Sequence, residues 1–156
     1  MHRARIMQSL DHGRYLQATT EQQVLDHTTS TKLSVVHFSH SAFNRCRIMD
    51  SHLEALAKKH FDTRFVHVDV EKAPFLVDRL KVRVLPCVIA FVDGKSVDRI
   101  EGFSELGNTD GFSTKMLEER LLACGVLLRA KVDEGSGGGG GAGRAEKVES
   151  DDDDWD

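Results

Sequence analysis

The sequence predicts an α/β domain with a central mixed sheet and helices on both faces. Three observations carry that expectation. Short β-branched apolar runs (33–39, 64–70 and 87–92) are separated by stretches with helical spacing. Asp93-Gly94 is a tight-turn signal directly after the last of those runs. A further amphipathic stretch closes the pattern. Strands that alternate with helices imply parallel pairing, and a closing hairpin adds antiparallel strands at one edge.

The elements follow in order. Met1 to Asp11 is a short helical stub, and Arg14 to Ala18 alternates weakly as a first strand would. Thr20, followed by Glu21, Gln22 and Gln23, is an N-cap that opens a helix to about His27. Leu33 to Ser39 reads as a central buried strand. The strongest helix spans about Asn44 to His60, with Met49, Leu53, Leu56 and Ala57 on one stripe and Lys58, Lys59 and His60 at its negative end. Arg64 to Val70 is a strand, and Lys72 to Leu80 a short helix with Pro74 in its first turn. Cys87 to Val92 and Ser96 to Glu101 form the hairpin. Ser113 to Cys124 is a last helix with Met116, Leu117, Leu121 and Leu122 inward, closed by Gly125.

Three segments result: a stub at 1–12, a packed domain at 13–125, and a glycine-rich linker with an acidic tail at 126–156. Between Arg144 and Asp156 two cations face seven acids, which leaves nineteen Lys and Arg against eighteen Asp and Glu elsewhere. A near-neutral body argues against a nucleic-acid partner, which needs a clustered basic face. No apolar run reaches the ~18–20 residues of a membrane span, and the first ten residues lack a signal-peptide core. A cytoplasmic location is therefore expected, where thiols stay reduced. The three cysteines, Cys46, Cys87 and Cys124, have no Cys-x-x-Cys spacing. The eight histidines are scattered, and His37 with His40 makes no metal site, so neither metal nor cofactor is expected. Gly94-Lys95-Ser96 lacks the earlier glycine of a phosphate loop, because Ile89 stands there.

The element order resembles the thioredoxin fold. So do Val35-Val36-His37-Phe38, Val82-Arg83-Val84-Leu85-Pro86-Cys87 and Phe91-Val92-Asp93-Gly94-Lys95. Four further segments resemble the phosducin-like family: His12 to Tyr15, Phe43 to Asp50, Val70 to Leu76 and Gly102 to Asp110. The likeness covers about residues 12–124. It implies a cytosolic co-factor of the chaperonin that folds actin and tubulin. Members of that family carry a long helical region ahead of this domain, where about a dozen residues precede Gly13 here.

A dithiol oxidoreductase needs an exposed attacking thiol at the strand–helix junction and a resolving thiol three residues on. The resemblance places Phe43 at the attacking position and Cys46 at the resolving one, so Phe43, Asn44, Arg45 and Cys46 form a degenerate active-site loop. A phenyl ring cannot attack a disulfide, and a protein-binding role follows. Cys46 itself has two readings. It is either an inert packed thiol on the helix's buried stripe or a reactive monothiol flanked by Arg45 and Arg47. His37 stands where thioredoxins keep a buried acid; it is either a core residue or an imidazole partner for Cys46. A Cys46–Cys87 bridge is disfavoured in a reducing cytosol. By the same resemblance Pro86 is cis and leaves the Leu85 backbone free to pair with an extended peptide. In the tail, Asp154 and Trp155 belong either to a solvated acidic end or to a short motif anchored by its tryptophan.

Overall fold

A computed structural model describes residues 13–128. The expected stub at 1–12 and the tail residues Asp154 and Trp155 lie outside them. The order is β1 (Tyr15–Ala18), α1 (Glu21–Ser30), β2 (Leu33–Ser39), α2 (Asn44–Lys59), β3 (Arg64–Asp69), α3 (Pro74–Arg79), β4 (Cys87–Val92), β5 (Lys95–Glu101) and α4 (Thr114–Ala123). The five strands lie in the order β1-β3-β2-β4-β5. β1 and β2 run parallel to β3, while β4 is antiparallel to β2 and to β5. The expected parallel half and closing hairpin are both present.

β2 is central and buried along its whole length. Its odd positions Leu33 and Val35 face a cluster with Met49, Leu53 and Leu56 of α2 and Leu117 and Leu121 of α4. Its even positions Val36 and Phe38 face a second cluster with Val24 of α1, Leu76 of α3 and Ile89 of β4. Period-two alternation across one strand thus divides the core between two helical layers.

Local chemistry sets the element ends. The side chains of Thr20 and Ser113 cap α1 and α4 by accepting from the amides of Gln23 and Met116. Asp93 and Gly94 both adopt positive φ (54° and 80°), the twist a two-residue hairpin needs.

Three expectations are corrected. The helix expected over Lys72 to Leu80 is split into a 3-10 turn, Val70–Lys72, and α3. Ala73, at φ −139°, precedes Pro74, and the proline ring disfavours helical geometry there. Met116 is 42 % exposed rather than inward. The four-residue step from Leu117 to Leu121 defines the buried face of α4, and Met116 lies about 100° round from it. The packing also runs past residue 125. Gly125 (φ 90°) turns the chain so that Val126 and Leu127 are buried, and Thr63 Oγ1 donates to Val126 O at 2.6 Å.

Candidate functional site: the head of α2 and the turn before β4

α2 begins directly beyond the end of β2. Phe43 is its N-cap residue and makes no side-chain capping bond. Its ring is 47 % exposed and meets His40 edge-on at 5.9 Å. Asn44 and Arg45 are exposed on the first turn. Arg45 is held outward: Nε donates to Asp110 Oδ1 at 2.8 Å, and the guanidinium lies 4.9 Å over the Phe103 ring. Cys46 points the other way and is 2 % exposed. Burial pushes its thiol pKa up. A backbone hydrogen bond at His40 opposes this, and the carboxylates of Asp50 and Asp69 add to it. A Cys-x-x-Cys pair ending at Cys46 needs a thiol at 43, and Phe43 supplies none. Cys46, Cys87 and Cys124 are all free.

His37 does not pair with Cys46. As an odd residue of β2 it faces α2, where Nδ1 lies 2.8 Å from Asp50 Oδ1 and 3.1 Å from the Tyr15 hydroxyl. Tyr15 also donates to Asp50 Oδ1 at 2.5 Å. Three elements therefore close one polar cluster beneath the first turns of α2. The acid of this cluster is Asp50, which is partly buried, while His37 beside it is fully buried. Burial alone would raise the Asp50 pKa. The hydrogen bond and charge of His37, the Tyr15 hydroxyl and the charge of His67 outweigh it, so the carboxyl sits below its usual range. The Asp50 carboxylate accepts from His37 Nδ1, which places a ring proton on that nitrogen. His37 Nε2 is buried with no hydrogen-bond partner among the described residues. Burial first, then the Asp50 charge, holds the Tyr15 phenol well above its ordinary value, so it remains a donor. The sequence reading missed Tyr15 and Asp50. The signal available was the i, i+4 spacing of Cys46 and Asp50, which places both on one helix face.

The turn before β4 lies at the same end of the sheet, because Phe38 near the end of β2 pairs with Cys87 at the start of β4. The Leu85–Pro86 peptide is cis. Pro86 O accepts from Gly102 N at 2.8 Å, whereas Leu85 precedes the first paired residue of β4 and is half-buried. Val84 is 46 % exposed, and a side chain at Gly102 would meet its Cγ1 at 3.6 Å. Cys87 is buried beneath, and desolvation pushes its thiol up to about 11. The result is an end surface with Phe43 and Val84 open to solvent and both neighbouring thiols withdrawn beneath it.

His40, Asp69 and Glu71 bring one ligand atom each within 4.8 Å of the others. The hydrogen bonds of the cluster engage both ring nitrogens of His40. His40 Nδ1 accepts from Ala42 N at 3.0 Å, so the ring proton sits on Nε2, 3.0 Å from Glu71 Oε2. Asp69 Oδ1 accepts from Glu71 N at 2.8 Å. Neither ring nitrogen keeps a lone pair for an ion.

A mixed sheet of this order, a helix starting at its head and a cis-proline turn beside that start define a thioredoxin-type domain. The chain belongs to the thioredoxin family, whose family model matches residues 15–112. Among solved structures, a mutant thioredoxin from Halobacterium salinarum NRC-1 has a TM-score of 0.62 at 19 % identity, covering 75 % of this chain and 96 % of that one. Spinach chloroplast thioredoxin F (long form) has a TM-score of 0.63 at 18 % identity, covering 77 % of this chain and 93 % of that one. Both share the fold.

The particular branch comes from nearer relatives. The chain is 42 % identical over 144 residues to thioredoxin domain-containing protein plp1 of Schizosaccharomyces pombe, covering 92 % of this chain and 52 % of that protein. It is 41 % identical over 119 residues to thioredoxin domain-containing protein 9 of Homo sapiens, covering 76 % and 53 %. It is 45 % identical over 116 residues to phosducin-like protein 3 of Dictyostelium discoideum, covering 74 % and 62 %. These likenesses make it a phosducin-like thioredoxin-fold protein. The chain spans about half the length of the first curated relatives it matches.

Proposed function

We propose that this chain is a non-catalytic protein-binding module of the cytosol: a co-factor that modulates chaperonin-assisted folding of tubulin and actin. One observation carries the non-catalytic part. Phe43, which the resemblance puts at the attacking position, is an exposed phenyl ring, and Cys46 three residues on is buried with its pKa raised. The surface that presents a thiol in an oxidoreductase here presents Phe43 and Val84. The Leu85 backbone, which lies outside the β4–β5 ladder, suits strand-like capture of an extended partner segment. The chaperonin and its clients come from the phosducin-like resemblance.

The competing monothiol reading needs a low-pKa, accessible Cys46, and burial opposes both requirements. The test is affinity isolation with the full chain as bait from cytosolic extract, read by mass spectrometry. Recovery of chaperonin subunits with tubulin or actin supports the reading; recovery of none of them overturns it. In parallel, the chain should not accelerate insulin reduction by dithiothreitol, whereas turnover abolished by Cys46→Ser would establish the monothiol enzyme instead.

A further inference from the structure

Beyond the Phe43 surface, a cleft of about 340 Å³ opens between the 3-10 turn with α3 and the segment that follows α3. Its floor is apolar: Val70, Pro74, Val77 and Val82. Lys81 and Arg83 line it together with Glu71 and Asp78. Glu71 is already engaged by His40. Lys81 ends α3 at φ 56°, a left-handed conformation in which glycine is the usual residue. A cation there, in place of glycine, sets a charge on the rim. Over residues 70–83 the chain carries four cations, Lys72, Arg79, Lys81 and Arg83, against two acids. All four cations are exposed. An apolar slot in a segment with a surplus of exposed cations suits a short acidic peptide with one large ring.

This chain contains such a peptide. Asp151-Asp152-Asp153-Asp154-Trp155-Asp156 places one indole among five carboxylates. We infer that this segment docks in the chain's own cleft, with Trp155 on the Val77–Val82 floor and its carboxylates against Lys81 and Arg83. Reach permits it. Twenty-six residues separate Leu128 from Trp155, a contour of about 90 Å at full extension. The distance to cover is set by the length of α2, about 24 Å. Val126, beside Thr63, lies at the end opposite the cleft, and the tether's contour exceeds that span severalfold. Covalent attachment raises the local concentration of the tail, so a weak contact suffices. The inference rests on reading this end of the domain as a peptide-binding surface: the docked tail lies beside Phe43 and Val84, and a partner must displace it.

Trp155 is the only tryptophan, so indole emission reports on the tail alone. The experiment uses the purified full chain, without any partner, so its failure is separate from a failed partner isolation. Docking predicts blue-shifted emission and severalfold weaker acrylamide quenching than in the same chain unfolded in urea. Both effects should be lost in Lys81→Glu/Arg83→Glu and in about 0.5 M salt, where the Debye length falls to a few ångströms. A tail variant with Asp151, Asp152, Asp153 and Asp154 each changed to Asn must lose them too, and it leaves the domain untouched if the cleft variant misfolds. Emission and quenching equal to the unfolded chain overturn the inference. So does protection that persists in both variants. Protection that grows with protein concentration places the tail on a second copy and overturns it as well.

Discussion

The Tyr15 hydroxyl donates to Asp50 Oδ1 at 2.5 Å, joining the edge strand β1 to α2 over the imidazole of His37. One carboxylate oxygen thereby receives two donors from two strands. Tyr15→Phe removes one of them and leaves the packing of the ring. A hydrogen bond to a charged acceptor is worth about 1.5–3 kcal/mol. We expect a loss of that order in urea unfolding at pH 7. Asp50→Ala should cost more, because it leaves both the phenol and His37 Nδ1 without an acceptor beneath the helix. Equal stabilities of wild type and Tyr15→Phe would show that the contact is replaceable by water.

The acid response should come in two limbs. Burial lowers the pKa of His67, with the Asp50 charge opposing, and burial lowers that of His52. Below the usual histidine value, about 6.5, the unfolded chain takes up protons that these folded rings refuse, so stability falls as pH drops through that range. The second limb belongs to carboxylates. Desolvation would raise the pKa of Asp98 and of Glu118, but Arg120 and the Asp98-to-Arg99 amide contact outweigh it at the first, and His60 with Lys59 at the second. Asp50 is likewise held low. Their stabilisation is complete above the unfolded value near ~4 and is lost as pH falls through the lower folded values. Urea midpoints from pH 8 to pH 3 should show both limbs. A His52→Asn variant should flatten the first limb and leave the second unchanged.

The thiols make a kinetic prediction. At pH 8 a thiol of pKa about 11 has a thiolate fraction on the order of 10²-fold below that of a free cysteine at ~8.5. Burial of Cys46 and Cys124 pushes both of their pKa values up as well. Alkylation of the native chain should therefore be slow at all three positions and slowest at Cys87. Urea should make the three equivalent. Peptide mapping after timed iodoacetamide exposure reads this directly. Fast labelling of Cys46 in the native chain would restore the monothiol reading.

Much of the fold was legible because its signals are local. The Asp93-Gly94 turn, the Thr20 and Ser113 caps and the Met49–Leu53–Leu56 stripe each state their own geometry. The phosducin-like branch was legible in short segments such as Val70 to Leu76. The polar cluster was not. His37 reads as a strand residue, Asp50 as a helix residue and Tyr15 as part of a weakly alternating run. They meet only because β1, β2 and α2 face one another across the sheet order, which no local pattern reveals. The split before α3 was legible in principle, since a residue preceding proline resists the helix. Met116 failed for a different reason: in a run of adjacent apolar residues, period alone does not say which one faces inward.

Arg120 binds β5 to α4 through a fork that a point charge does not reproduce. Nε donates to Asp98 Oδ2 at 2.6 Å, Nη2 to Asp98 Oδ1 at 2.9 Å and to Arg99 O at 3.1 Å, and Nη1 to Glu105 Oε1 at 3.0 Å. Arg120→Lys keeps the charge and loses the planar geometry. It should unfold at lower urea, with a loss of about 1–3 kcal/mol, and Arg120→Ala should be little worse. Full rescue by lysine would reduce the fork to an ordinary surface pair, worth at most about 1 kcal/mol.

Phe43 separates binding from folding more cleanly than any other residue of the site. Its ring is 47 % exposed and makes no capping bond, so the domain gains little from it. Phe43→Ser puts a good N-cap residue at the start of α2 and should leave stability unchanged or raise it by up to about 1 kcal/mol. Binding should respond in the opposite sense. An exposed aromatic ring at the centre of a docking surface typically accounts for about 2 kcal/mol or more when truncated. Partner capture by the Phe43→Ser chain should therefore fall by more than about tenfold, while its urea midpoint holds or rises. Capture that survives the substitution intact would move the partner surface away from the head of α2, whatever the partner proves to be.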